Sequence, residues 1–283
     1  MANVLTRLLP KKLRPEGKTI PVIRLHGVIA SGGSLGRPAL NLASVAGVLE
    51  KAFAYRNAPA IAVSVNSPGG SPVQSRLIFR RIRDLAKEKD KKVIVFVEDA
   101  AASGGYMIAC AGDEIIADPS SIVGSIGVIS AGFGFPELLK KIGVERRVYT
   151  AGENKAVLDP FQPEKADDIE RLKRLQLDVH KTFIDLVKSR RGDRLADDPE
   201  LFTGAFWAGE GALQRGLVDG LGDMRSFLKD RYGEKTSLKL ISPPRGLFGR
   251  RGMFGFNAGH GGEMVHALAD AADERAWWGR LGL

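Results

Sequence analysis

The sequence predicts an α/β core with a largely parallel sheet. From Thr19 onward, runs rich in Val and Ile alternate with amphipathic helical patterns. The run Lys92–Val97 is apolar almost throughout, as expected of a parallel strand buried on both faces. A chain of 283 residues, 44% hydrophobic and 27% charged, is long enough to bury a sizeable core.

The elements follow in order. Ile20–Ile29 and Ala60–Val65 read as strands closed by turn residues. Asn41–Tyr55 reads as a helix, with Leu42, Val45, Leu49 and Phe53 at spacings of three and four. In Ser71–Lys89, Ser71 can cap the helix and Pro72 fits its first turn. Leu77, Ile78, Ile82 and Leu85 make its apolar face. Short strands are expected at Glu114–Ala117, Val128–Ser130 and Arg146–Thr150, and a long amphipathic helix over Pro163–Arg190. This divides the chain into a basic tail (1–18), a core (19–242) and a Gly/Phe/Arg-rich tail (243–283) ending in a short helix at Gly262–Trp278.

The formal net charge is +9, which raises nucleic acid as a partner. Seven cations fall in two acid-free runs at the ends: Arg7, Lys11, Lys12 and Arg14, then Arg245, Arg250 and Arg251. The intervening chain is closer to balance and carries no nucleic-acid signature, so no nucleic acid is expected. One Cys excludes a disulfide framework, and the four His sit at no zinc spacing, so no metal is expected. No segment reads as a signal peptide or a membrane span. The uncharged window Pro119–Pro136 holds four Ser, four Gly and two Pro. The expected location is cytoplasmic, or peripheral to the inner membrane of a bacterium.

Four short segments carry candidate chemistry. In Val97–Cys110 a buried strand gives way to small residues and Ser103 opens a helical pattern, with Gly104 and Gly105 behind it. A hydroxyl there faces free N–H groups that favour a developing negative charge. Local sequence alone fits a plain N-cap serine better. Asn66-Ser-Pro-Gly69-Gly70 ends the preceding strand. Its turn reads either as an ordinary connection or as a source of oxyanion N–H groups. Neighbouring parallel strands would bring both loops to the crevice where open α/β sheets bind ligands.

A serine nucleophile needs a base, and none of the histidines is well placed. Gly32-Gly-Ser34-Leu-Gly36 has a Gly-x-Ser-x-Gly spacing but no strand–turn–helix continuation, and reads as a loop. Lys155, in Thr150-Ala-Gly-Glu-Asn-Lys155, is the better base candidate, although a loop lysine is ordinarily solvated.

Taken together, Asn66-Ser-Pro-Gly-Gly, Ala102-Ser103-Gly-Gly-Tyr, Gly124-Ser125-Ile-Gly-Val and Gly152-Glu-Asn-Lys155 resemble the signal peptide peptidase A family of serine peptidases in order and spacing. The run Phe202–Asp219 resembles that family's closing segment, so the likeness spans roughly Pro21 to Asp223. It implies a ClpP/crotonase-like superhelix of stacked β-β-α units. It also implies Ser103 as nucleophile, Lys155 as general base, Ser125 as the hydroxyl that orients the lysine, and Gly69, Gly70 and Gly104 as oxyanion donors. No cofactor is implied. Substrates would be peptides, such as signal-peptide remnants or unfolded segments. The protomers would form a homo-oligomeric ring in which one subunit's serine meets its neighbour's lysine. A general-base lysine must be neutral, which takes a drop of about 3 pKa units, or about 4 kcal/mol, from apolar surroundings. The family's usual N-terminal anchor is expected to be lacking. The basic, aromatic ends would replace it by peripheral membrane contact. Two other classes share features of the sequence: an acyl-CoA-binding crotonase relative, and a non-catalytic scaffold of membrane proteins.

Overall fold

The computed structural model describes residues 17–32, 39–242 and 275–283. Its centre is a mostly parallel sheet of strands β1 (Thr19–His26), β2 (Ala60–Ser67), β3 (Lys92–Ala102), β4 (Glu114–Ala117), β5 (Ile122–Gly124), β6 (Phe206–Trp207), β7 (Gly220–Leu221) and β8 (Ser237–Leu240). The main path runs β6-β5-β3-β2-β1-β8; β4 pairs with both β3 and β7. Among these pairs only β5–β6 is antiparallel.

β2 is buried along nearly its whole length, since it has a neighbour on either side and packed layers on both faces. One face carries α1 (Leu42–Phe53) and α2 (Pro72–Lys89). α1 starts on a capping box between Asn41 and Ser44 and buries Val45, Leu49 and Phe53. α2 starts on Ser71 with Pro72 behind it and buries Ile78, Ile82 and Leu85. Ala86 completes that stripe in place of Leu77, which is partly exposed. The opposite face is covered by α7 (Met224–Tyr232), which buries Leu228 and sets Phe227 edge-on to Phe96.

A six-residue helix, α3 (Gly104–Ala109), follows β3 and is buried throughout. Two arginines close its C-terminal end. Arg190 donates to the carbonyls of Cys110 and Gly112, and Arg83 to that of Ala111. This supplies donors where a helix end has orphan acceptors. Arg190 lies in the last turn of the long helix α5 (Ala166–Arg191), so the same contact ties α5 to α3. The next residue, Arg191, is 2% exposed and forms a two-pronged pair with Asp219 at 2.8 and 3.0 Å. Asp219 also accepts from Ile115 N–H at the start of β4.

Several boundaries move. β3 runs five residues past Val97, because its end switches neighbours from β4 to β5. Val128–Ser130 and Arg146–Thr150 are not strands. The segment 128–165 leaves the sheet, so those β-branched residues have no edge to pair with. It holds one short helix, α4 (Pro136–Lys141), and is largely exposed. The sequence reading had no element at β5, β6, β7, β8, α4, α6 (Gly209–Gln214) or α7, which are all short. Of the helix expected at Gly262–Trp278, residues up to 274 lie outside those described; 275–279 are helical.

Burial alone would raise the pKa of Asp219, but the hydrogen bonds and charge of Arg191 outweigh it and hold the carboxyl below its usual 3.8. A depressed carboxyl stabilises the fold above its unfolded value, and that stabilisation is lost as pH falls through the folded value. Asp219→Asn should therefore cost about 3–5 kcal/mol in urea unfolding at pH 7, because it leaves Arg191 buried without its counter-charge. The cost should shrink as the pH is taken below about 4.

Candidate active site

Three strand ends meet at the C-terminal edge of the sheet. The first is the turn after β2. Ser67, fully buried, donates from Oγ to Gly27 C=O at 2.7 Å and accepts Gly69 N–H at 3.2 Å. Ile29 exchanges bonds with the groups flanking Gly70: Ile29 N–H donates to Gly69 C=O, and Ser71 N–H to Ile29 C=O. Gly70's own N–H takes no part in this bridge. Both glycines have positive φ, +110 and +133. A Cβ at Gly69 would lie 2.8 Å from Ser103 Cβ, so only glycine lets this turn pass so close to the serine.

The second is the junction of β3 and α3. Ser103 sits at φ 51, ψ −120, a conformation rare for any residue with a side chain. Such a residue stores about 1–3 kcal/mol of strain, held by its surroundings. Its N–H donates to Gly124 C=O at 2.9 Å and its C=O accepts from Met107 N–H. Its side chain makes no capping hydrogen bond, so it is not a plain N-cap. Gly104, the first residue of α3, has an N–H with no earlier turn to bond. A Cβ there would strike Ser75 Oγ at 2.4 Å.

The third end follows β5. Ser125 also has positive φ, 53, and donates its N–H to Ala205 C=O at 2.7 Å. The next carbonyl, Ile126, accepts a bond from His180 Nε2 at 3.0 Å. This gives His180 a structural place that its sequence pattern did not show.

Ser103, Gly104, Gly70 and Ser125 line one cleft of about 350 Å³. Its walls are apolar, with Met107, Val128, Ile129, Val179, Phe183 and Phe206. Trp277, Arg280 and Leu281 also line it. Gly69 lies against Ser103, but its N–H is taken by Ser67. Lys155 is not in the cleft; it stands exposed in the turns at 151–158. Asp159, four residues on, pairs with Arg146 at 3.0 Å. Most of Gly32–Gly36, with Ser34, lies outside the described residues.

A second polar group lies across the sheet. His26 Nε2 is 2.7 Å from Ser64 Oγ, and Ser64 donates to Glu98. Hydroxyl and carboxylate meet the same imidazole nitrogen, so this is not a relay from acid through base to nucleophile. Burial pushes His26 below its usual value, while Glu98 acts in the opposite direction. Among the described residues no cluster of His, Cys, Asp or Glu is arranged to hold a metal. No helix there is long and apolar enough to cross a membrane.

The family model for peptidase family S49 matches residues 85–235, which include Ser103, Ser125 and Lys155. The chain belongs to peptidase family S49. A putative protease of Synechocystis is 33% identical over 239 residues, covering 82% of each chain. A putative protease of Methanocaldococcus jannaschii is 32% identical, covering 72% of this chain and 67% of its own. A Brucella abortus protein described as a Na(+)/H(+) antiporter is 64% identical over all of this chain, which spans only 39% of that protein. Among solved structures, a mutant of a membrane-bound stomatin-specific protease matches with a TM-score of 0.50 and 17% identity. It covers 81% of this chain and 99% of its own. That likeness shows the shared fold.

Cys110, the single cysteine, is fully buried one residue past α3, and burial pushes its thiol up to about 12. Thiolate is the reactive form. Iodoacetamide at pH 7.5 should therefore leave the folded protein unmodified and alkylate it after unfolding, read by intact mass.

Proposed function

We propose that this S49 peptidase is a serine endopeptidase, independent of ATP, with Ser103 as nucleophile and Lys155 as general base. The observation that carries this is Ser103 itself. It is a strained, uncapped serine at a strand-to-helix turn, in a cleft with two N–H groups that lack backbone partners. Of the three glycines in the sequence reading, Gly70 and Gly104 suit the oxyanion role, because the N–H of Gly69 is already bonded. Such donors contribute about 2.7–4 kcal/mol each to transition-state stabilisation. Ser125 orients the lysine from the cleft wall.

In the proposed reaction, Lys155 takes the Ser103 proton as Oγ attacks the scissile carbonyl. The oxyanion forms against Gly70 and Gly104. The protonated lysine then passes that proton to the leaving amine, and water hydrolyses the acyl-enzyme by the reverse sequence. Lys155 reaches a serine only in an assembly. It rides on the segment 128–165, which exposes Phe133 (82%), Tyr149 (90%) and Ile142 to solvent. Large apolar side chains so exposed fit burial against a second copy. The neighbour's apolar cleft would then supply the dry surroundings in which a lysine is neutral.

The apolar walls suit substrates with small or apolar side chains at the cut, such as signal-peptide remnants or unfolded membrane-derived segments. The Brucella relatives carry the name of a membrane transporter. This supports work at the inner membrane, with the basic ends in peripheral contact.

Ser103→Ala and Lys155→Ala should each lower peptide hydrolysis by about 10³-fold or more while the urea midpoint stays put. Full activity in either variant would sink the assignment. Mixing the two inactive proteins after subunit exchange should restore hydrolysis. Mixed oligomers that stay inactive would count against a shared site.

A further inference from the structure

We infer that Asn66 is a positioning residue, which sets the place of Ser103 by clamping a two-residue bulge in β3. This rests on Ser103 being the nucleophile. The β2–β3 ladder runs in step from Ala60 opposite Lys92 to Val65 opposite Val97. It then slips, so that Ser67 faces Ala101. Two steps along β2 match four along β3, and the surplus residues are Glu98 and Asp99, both with exposed side chains.

At this slip β3 changes neighbour. Ile94–Val97 pair with β4, and Ala100–Ala102 with β5, ending at Ala102 opposite Gly124. The last rung is the bond from Ser103 N–H to Gly124 C=O. Had β3 stayed in step, Ser103 would lie two residues, about 6–7 Å, further along, past the Gly69–Gly70 turn. A hydroxyl so displaced could not meet the N–H of Gly70. The bulge therefore decides whether serine, oxyanion donors and Ser125 share one site.

One side chain spans the gap on the β2 side. Asn66 Oδ1 accepts Ala100 N–H at 3.1 Å, and Asn66 Nδ2 donates to Asp99 Oδ2 at 2.6 Å. The amide replaces the ladder bond that the slip breaks and holds Asp99 outward. Ser121 grips the bulge from the other side through the carbonyls of Glu98 and Val97. An amide does this because it offers acceptor and donor at once. Asn66 touches no reacting atom and acts through Ala100–Ser103.

The test exploits the polarity of the pair. Asn66→Asp keeps the acceptor for Ala100 but sets a carboxylate against Asp99. Asn66→Asp/Asp99→Asn restores a donor–acceptor pair with the roles exchanged. On a quenched fluorogenic peptide with an apolar core, Asn66→Asp should lower kcat about 30-fold with KM within about twofold, and the double variant should recover to within about threefold of wild type. The oligomer and urea midpoint are followed alongside. Wild-type kcat in Asn66→Asp, or a loss that the exchange does not recover, would overturn the inference. If Asn66→Asp does not fold, Asp99→Ala at an exposed position reads the same clamp. A kcat loss of about fivefold at the wild-type midpoint supports it, and an unchanged kcat overturns it. Ser103→Ala in the same series separates the two readings. If it is inactive beside an unrescued Asn66→Asp, only the positioning role falls; if it is active, the nucleophile assignment falls and takes the positioning role with it.

Discussion

The parallel pairing of β2 with β3, and the point at which it slips, is the constraint on which the cleft depends. Each strand delivers a loop to the same edge of the sheet. β2 brings the glycine turn and β3 brings Ser103. A parallel ladder fixes the relative height of two such loops to within one residue, and here the register shift at Glu98 and Asp99 resets that height. The slip also frees the end of β3 to pair with β5, which carries Ser125 into the same space.

That geometry holds backbone conformations that are unfavourable alone. Ser103 and Ser125 both have positive φ, and the surrounding bonds over-determine them. Behind Ser103, α3 is too short to be stable in isolation. It persists because all six of its residues are buried and Arg83 and Arg190 bond the carbonyls that follow its C-terminal end. Arg191 and Asp219 join α5 and β4 just behind it. A rigid scaffold therefore stands under a cleft whose walls are apolar and whose polar atoms are few.

The segment 128–165 follows other rules. It leaves the sheet, exposes large apolar side chains and carries Lys155 into solvent. Within this chain Lys155 lies outside the cleft that holds Ser103, which is why the proposal assigns it to a neighbour's site.

Much of this was legible in the sequence, for identifiable reasons. The alternation of apolar runs and helical faces gave the α/β class, and Ser71-Pro72 marked the start of α2, because both signals are local. Ser103, Ser125, Gly70 and Gly104 were named from short motifs, and the fold does bring them together. The sequence by itself determined the strands with continuous apolar runs and the capped helices, and through its likeness to a family it named four residues of the cleft. Only the tertiary structure decided that Gly69's N–H is taken by Ser67, that 146–150 finds no sheet edge, and that β3 slips by two residues. Each of these depends on a partner far away in the chain, and local propensity carries no information about which partner a strand or an amide will meet.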